Sequence, residues 1–290
     1  MKRKLALLAL SIIILASCKK NELNLTPQSV KYSKIESFFT PFDYGKRQLD
    51  PSKKFLFTSQ SFNSSGDLIL SFHRVLDYQD VDTTFNILVK TTYKYENGRL
   101  VEKNVLRDKG LVISPMDDRL TFTYTHEGDT AEVKRYNNKT GKLGMRFTYT
   151  YGNNGMKSRI TYYSSLDGYS ADSEDSSDFF KYDNKKNIIE RSSIVAGREN
   201  PYKTIQYSYN SKNHLIEAGI PGIYPSYEGQ YTYDEKGRIT EYIRKDNPYS
   251  AFYKIYRFVN SYNSNGLLSK KAFYTNSDLL VGVEEYVYTK

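Results

Sequence analysis

Five glutamates recur at one place in a repeating pattern. Glu132, Glu190, Glu217 and Glu241 stand eight residues after a recurring aromatic, and Glu102 stands seven after its own. Carboxylates in a row are the raw material of acid–base hydrolysis or of cation binding. A glycosidase, however, needs one pair set in one cleft. Five equivalent carboxylates are better suited to pairing with Lys, Arg or Tyr on neighbouring strands, and that is the role expected of them. Glu241 shares strand parity with Ile239 and Ile243, which leaves open that it faces an interior. The acidic stretch SLDGYSADSEDSSD, residues 165–178, offers Asp167, Asp172, Glu174, Asp175 and Asp178. These are oxygen ligands of the kind Ca²⁺ takes. Their spacing is not that of an EF-hand, and a Ser-rich acidic run is expected to be a solvated loop. His126 and His214 fall in turns of different repeat copies, far from a zinc spacing. Neither a G-x-S-x-G elbow nor a phosphate-cradling Gly loop occurs, so no catalytic residue, metal or cofactor is expected.

Cys18 is the only cysteine and closes the segment MKRKLALLALSIIILASC. A basic start (Lys2, Arg3, Lys4), an apolar run too short to span a bilayer and a small-residue end read as a secretory signal peptide. Within it, Ile14-Leu15-Ala16-Ser17-Cys18 resembles the lipobox of bacterial lipoproteins. The resemblance implies cleavage between Ser17 and Cys18 and acylation of Cys18. Lys19 stands where an Asp would favour inner-membrane retention, which implies an outer-membrane lipoprotein of a Gram-negative bacterium, periplasmic or surface-exposed. A lipidated Cys18 leaves no disulfide partner, thiol nucleophile or thiolate metal ligand. Loss of Lys2, Arg3 and Lys4 lowers the formal charge from +9 to +6, spread over the chain, so nucleic acid is not expected as a partner. The expected domains are 1–17 signal peptide, 18–50 lipidated Cys and tether with a short helix near 32–39, and 51–290 a repeat domain.

The repeat is best seen in QYTYDEKGRITEYI, residues 230–243. Its anchor, Tyr233, has equivalents at Phe62, Tyr95, Tyr124, Tyr151, Tyr182, Tyr209 and Tyr262, with a final half-copy at Tyr286-Val287-Tyr288. A period in this range marks an array of supersecondary units. Aromatics alternating with Thr232 indicate a strand, and Gly237 follows four residues after the anchor. Gly66, Gly128, Gly155 and Gly266 hold the same place, with Asn213 and Lys186 in two copies. A short hairpin loop ending in a left-handed residue requires Gly, or failing that Asn. Lys186 should therefore be the most strained turn. In the copy Tyr95-Glu96-Asn97-Gly98-Arg99, Asn-Gly predicts a two-residue type I′ turn. Each copy is thus a strand, a turn and a returning strand. Eight copies predict about sixteen antiparallel strands in a meander.

Y-x-Y-D-x-x-G-R-I resembles the YD repeat of the RHS family, closely at Tyr231–Ile239 and loosely elsewhere. The pattern is also similar to small exported lipoproteins with a porin-like barrel. Both resemblances imply a curled single-layer sheet. Composition agrees: 28 Tyr and 15 Phe with no Trp suit cross-strand aromatic pairs better than the aliphatic filling of a two-sheet sandwich. The expected fold is all-β, a wide closed barrel or an open arc. A membrane-spanning porin is not expected, because the strands lack a continuous lipid-facing apolar band and the chain ends in Thr289-Lys290 instead of an aromatic. The size leaves no room for the cargo of a toxin shell. The leading function is a non-catalytic scaffold, moored in the membrane by its lipid, for a glycan or peptide ligand or for envelope structure. An envelope hydrolase acting on glycans through carboxylates at one end of the sheet is the rival.

Overall fold

The computed structural model of the chain describes residues 32–75, 87–107, 117–164, 174–219, 229–244, 257–275 and 277–290. The signal segment, Ser17 and Cys18 lie outside these residues. So does most of the acidic stretch.

Nineteen strands account for nearly all the regular structure. They are β1 (Lys34–Asp43), β2 (Gln48–Leu49), β3 (Phe55–Phe62), β4 (Leu68–Val75), β5 (Ile87–Glu96), β6 (Arg99–Arg107) and β7 (Asp118–Tyr124). Then come β8 (Thr130–Asn137), β9 (Leu143–Tyr151), β10 (Lys157–Ser164), β11 (Glu174–Tyr182), β12 (Ile188–Val195) and β13 (Lys203–Tyr209). The last are β14 (Leu215–Gly219), β15 (Gly229–Tyr233), β16 (Ile239–Arg244), β17 (Arg257–Tyr262), β18 (Leu268–Tyr274) and β19 (Leu280–Thr289). Strands β3 to β18 are the eight hairpins of the repeat, every pair antiparallel. Strand β1 pairs with β19 on one side and β3 on the other, so the meander closes as an 18-stranded barrel with β2 as a short appendage on β1. Closure gives each of the eighteen barrel strands a partner on both sides.

The closing strand corrects the expectation of a tether running to residue 50 with a helix near 32–39. Ile35, Ser37 and Phe39 alternate with Glu36, Phe38 and Thr40, a period-two pattern that is easily missed over so few residues. Pairing on both flanks supplies backbone partners for the segment, and tertiary context then overrides its weak local signal.

Each turn realises the chemistry of its letters. Gly237 sits at φ +77°, its N–H donating to the Asp234 carbonyl at 3.0 Å. The Asp234 carboxylate accepts from the Arg238 N–H at 2.9 Å and from the Lys236 N–H at 3.0 Å, closing an Asx-type turn. Asn63, Asp183, Asn210 and Asn263 accept in the same way from the N–H four residues on. Asn97 and Gly98 both have positive φ, 51° and 72°, the type I′ geometry. Lys186, without a glycine's freedom, is held at φ +69°.

A feature invisible in the motif recurs in all eight hairpins: one extra residue on the returning strand. Tyr233 pairs with Ile239 but Thr232 pairs with Glu241, so Thr240 is bulged. Ile69, Val101, Ala131, Ser158, Ile189, Ile216 and Ser269 occupy the same place. Where the bulged residue is polar it closes the bulge, as Ser158, Thr240 and Ser269 donate to carbonyls across the hairpin at 3.1, 3.2 and 3.1 Å. A bulge reverses the alternation of side chains. It lets the apolar residue after the turn face inward and the glutamate two positions later face outward. Glu241 therefore lies on the opposite face from Ile239, which settles the parity left open above.

Successive copies are stitched by the remaining two letters. The hydroxyl of Tyr233 donates to the Leu215 carbonyl, in the previous copy, at 2.7 Å. Tyr124, Tyr151, Tyr182, Tyr209, Tyr262 and Tyr288 do the same to Leu100, Thr130, Lys157, Ile188, Ile239 and Leu268. In the copies of Gly98, Asn213 and Gly237, the residue after the left-handed position reaches the other way. Arg99 lies over the Tyr124 ring, Arg238 over Tyr262 at 4.3 Å, and His214 stacks on Tyr233 with ring centroids 4.7 Å apart. His214 is therefore packed into the rim of turns, not free in solution as a turn histidine would be.

Candidate functional site

Cross-strand partners share a face of the sheet, so the register separates the wall of the barrel into inside and outside. The row of glutamates is outside. Glu102 meets Arg119 at 3.7 Å, Glu132 meets Lys134 at 3.1 Å and Arg146 at 3.7 Å, Glu190 meets Lys181 at 2.8 Å, and Glu241 meets Arg257 at 2.9 Å. Glu217 accepts from Gln230 at 3.4 Å. These are the rungs of a charge ladder, the role expected of them, and no two converge on a cleft.

The inner wall carries two apolar fields. Val89, Val105, Leu120, Val133, Phe147, Ile160 and Tyr162 make one, across β5 to β10. The other is a run of rings. Tyr231 meets Tyr242 at 4.9 Å, Tyr242 meets Phe258 at 5.6 Å, Phe258 meets Phe273 at 5.3 Å, and Phe273 meets Phe39 at 5.5 Å. Phe39, fully buried, then meets Phe55 at 5.7 Å and Phe57 at 5.6 Å. The run crosses β19 at Gly282, where a Cβ would lie 2.3 Å from the Phe39 ring. Only glycine allows that ring to cross the seam.

Among the described residues three carboxylates are buried on the same wall. Asp118 is held by Arg135 at 2.8 Å and Arg107 at 3.1 Å. Asp178, 6% exposed, accepts from the hydroxyls of Tyr162, at 2.7 Å, and Ser193. Glu284, 2% exposed, has Lys271 at 3.8 Å and the Tyr286 hydroxyl as neighbours. Burial, and then the adjacent carboxylate, pushes the Tyr162 and Tyr286 phenols well above their ordinary value, so both remain donors. Asp178 corrects the expectation of a solvated acidic loop: β11 begins at Glu174, which pairs with Arg159 at 2.6 Å, and strand alternation turns Asp178 inward. β7 and β11 are four strand spacings apart, about 19 Å along the wall. Glu284, on β19, is farther still from β11. Among these three, no pair stands at the separation of about 5–9.5 Å that glycoside hydrolysis uses.

Basic residues outnumber these acids. Lys103, Arg107, Arg135, Lys157, Arg191, Lys203 and Lys271 share the inner face with Asp118, Asp178 and Glu284 among the described residues. Sequence reasoning missed them because the unseen bulge hid which residues face inward. With the bulge known, the place one after the ladder glutamate is inward, and it holds Lys103, Arg191 and Lys271. Of the residues singled out from sequence, Gly66, Gly98, Gly128, Gly155, Gly237 and Gly266 all stand at positive φ on one rim of turns. Among the described residues no group of three or more His, Cys, Asp or Glu is arranged to hold a metal ion.

No family model matches the chain, and no curated protein matches it. Among solved structures, a porin-like protein from Bacteroides uniformis is similar over 89% of this chain and 96% of that one, with 13% identity and a TM-score of 0.44. The TcdB2-TccC3 complex without its hypervariable C-terminal region is similar over 84% of this chain and 13% of that one, with 13% identity and a TM-score of 0.38. The Photorhabdus luminescens Tc holotoxin pore is similar over 82% of this chain and 15% of that one, with 11% identity and a TM-score of 0.35.

Proposed function

We propose that the chain is a non-catalytic β-barrel of the bacterial envelope, moored by a lipid on Cys18 and standing in water, with its inner wall as the binding surface for a glycan or peptide. The observation that carries this reading is the charge ladder on the outer wall. Each Lys or Arg placed on a lipid-facing strand at mid-bilayer costs about 2–4 kcal/mol, and Arg119, Lys134, Arg146, Lys181 and Arg257 all face outward in ion pairs. Such a wall belongs in water, so attachment has to come from elsewhere, and the lipobox-like segment supplies it. Strand β1 starts at the rim of turns, the Phe62 N–H donating to the Ser33 carbonyl at 3.0 Å, so the chain enters the barrel at that rim. The assignment of the repeat to the YD class of the RHS family rests on the distinct role of each consensus letter.

Expression of the full chain in a Gram-negative host with labelled palmitate tests the reading. The wild type incorporates label and partitions into detergent, and Cys18→Ser loses both while remaining folded. A Cys18→Ser protein that stays in the outer membrane after alkaline extraction would show that the barrel itself is embedded, and hydrolysis of a glycan by the purified chain would end the non-catalytic reading.

A further inference from the structure

One part of the inner wall brings several basic side chains together. His73 on β4 and Arg107 on β6 both face Val89 on β5, and Lys103 faces Tyr93 two same-face positions toward the rim of turns. Arg135 on β8 stands opposite Leu120 beside them. Among the described residues Arg107 and Arg135 hold the Asp118 carboxylate, and the Arg107 backbone N–H donates to the Asp117 carboxylate at 2.9 Å. The described partner of Lys103 is the face of the Tyr93 ring, its Nζ 5.7 Å from the centroid. Ser71 and Tyr93 place two hydroxyls, 3.1 Å apart, next to it. His73 is open to water although it lies on the inner face, so water reaches the wall here. Yet desolvation, and then the charges of Lys103 and Arg107, hold its imidazole below the ordinary value. The Lys103 ammonium is lowered by the same enclosure, with Arg107 adding to it. A water-accessible cation that neighbouring cations repel gains stability when an anion arrives.

We propose that His73, Lys103 and Arg107 form an anion-binding site on the inner wall, taking a carboxylate- or phosphate-bearing ligand that enters the barrel. The inference deepens the binding role proposed above by naming the ligand's charge. Arg107 offers N–H donors in a plane suited to an oxyanion, Lys103 a point charge, and Ser71 and Tyr93 neutral donors beside them. The run of rings ends at Phe55 and Phe57 on β3, and Thr58 of the same strand faces His73 directly. The anionic group of a ligand would therefore sit next to an aromatic wall.

Calorimetric titration of the full chain in detergent decides the matter, with inorganic phosphate and tri-galacturonic acid as separate probes. Binding of phosphate assigns a phosphate-bearing ligand, and binding of the uronate alone assigns an acidic glycan. Lys103→Met is expected to weaken whichever probe binds by about tenfold or more, the loss of one charge-assisted contact. Its melting temperature should stay level or rise, because an uncompensated cation is removed. Lys94→Met, on the outer face and paired with Glu96, is the control and should leave affinity unchanged. No binding of either probe, equal loss in both variants, or a Lys103→Met protein that binds normally would each overturn the site. The Cys18→Ser protein, released from the membrane, is expected to bind as well as the wild type, so a failure of anchoring and a failure of this site are separately visible.

Discussion

The phenol of Tyr233 hydrogen-bonds the backbone carbonyl of Leu215 at 2.7 Å, tying one repeat copy to the one before it. Six other anchors do the same at their own steps of the meander. The anchor is thus a tyrosine for its hydroxyl as much as for its ring, and the register between hairpins is fixed at the rim where turns alone would leave it loose.

Tyr233→Phe keeps the ring under His214 and removes only that bond. A net loss of about 1 kcal/mol is expected, seen as a melting temperature about 2–4 °C lower. Amide exchange should quicken first at β14 and β15, whose pairing is a single residue pair, Glu217 with Gln230. An unchanged protection pattern would refute the stitching role.

Gly282→Ala tests the seam. The added methyl would press on the Phe39 ring and lie 2.7 Å from the Thr40 carbonyl oxygen. Overpacking of this kind costs about 1–3 kcal/mol. The loss should appear as faster exchange in β1 and β19 together, since both belong to the same closure. Stability equal to the wild type would contradict the seam geometry.

The strained turn offers a gain instead of a loss. Lys186→Gly relieves a left-handed lysine, whose steric penalty is about 1–2 kcal/mol, offset in part by the entropy of glycine. A net rise in melting temperature is expected. The reverse change, Gly66→Ala, has open space around the new Cβ but φ +89°, so it should fall by strain alone. Gly237→Val, whose Cβ would also meet His214 at 2.8 Å, should fall further. Thermal melts that rank these three otherwise would refute the turn assignment.

Acid should weaken the turns through two carboxylates. The Asn187 side chain holds the Asp183 carboxyl below its ordinary 3.8, and the Arg238 backbone N–H leads in doing so for Asp234. Because both folded values lie below the unfolded one, their contribution is present above about pH 4 and is lost as pH falls through the lowered values. Asn fills the same place at Asn63, Asn210 and Asn263. The double variant Asp183→Asn, Asp234→Asn should therefore melt near the wild type at neutral pH and lose less stability in acid. Melting curves from neutral to strongly acidic pH check this, and an equally steep acid limb would refute it.

Much of this architecture is legible in the sequence because hairpin turns are local. Gly at a fixed step, Asn97-Gly98 and the alternating aromatics are decided within a few residues. The pieces that stayed hidden are those that need a partner far along the chain. Residues 34–43 become a strand because β3 and β19 flank them. Asp178 is buried because Tyr162 and Ser193 stand ready across two strands. The bulge at Thr240 leaves no mark on composition, yet it decides that Glu241 faces water and Tyr242 the interior. The inner-wall cations were therefore unreadable as a group until the parity was known.

Lys34 lies opposite both Thr289 and Ser61, so an early segment of the chain completes the ring only when the last one arrives. Hairpins can zip locally and in series, but that final join links strands far apart along the chain and must wait until β19 has been made. Until then the ribbon carries an unpaired border at each limit of its length. The vulnerable species is consequently the newborn chain, and substitutions that slow docking of β1 should lower yield through self-association well before they alter the finished molecule.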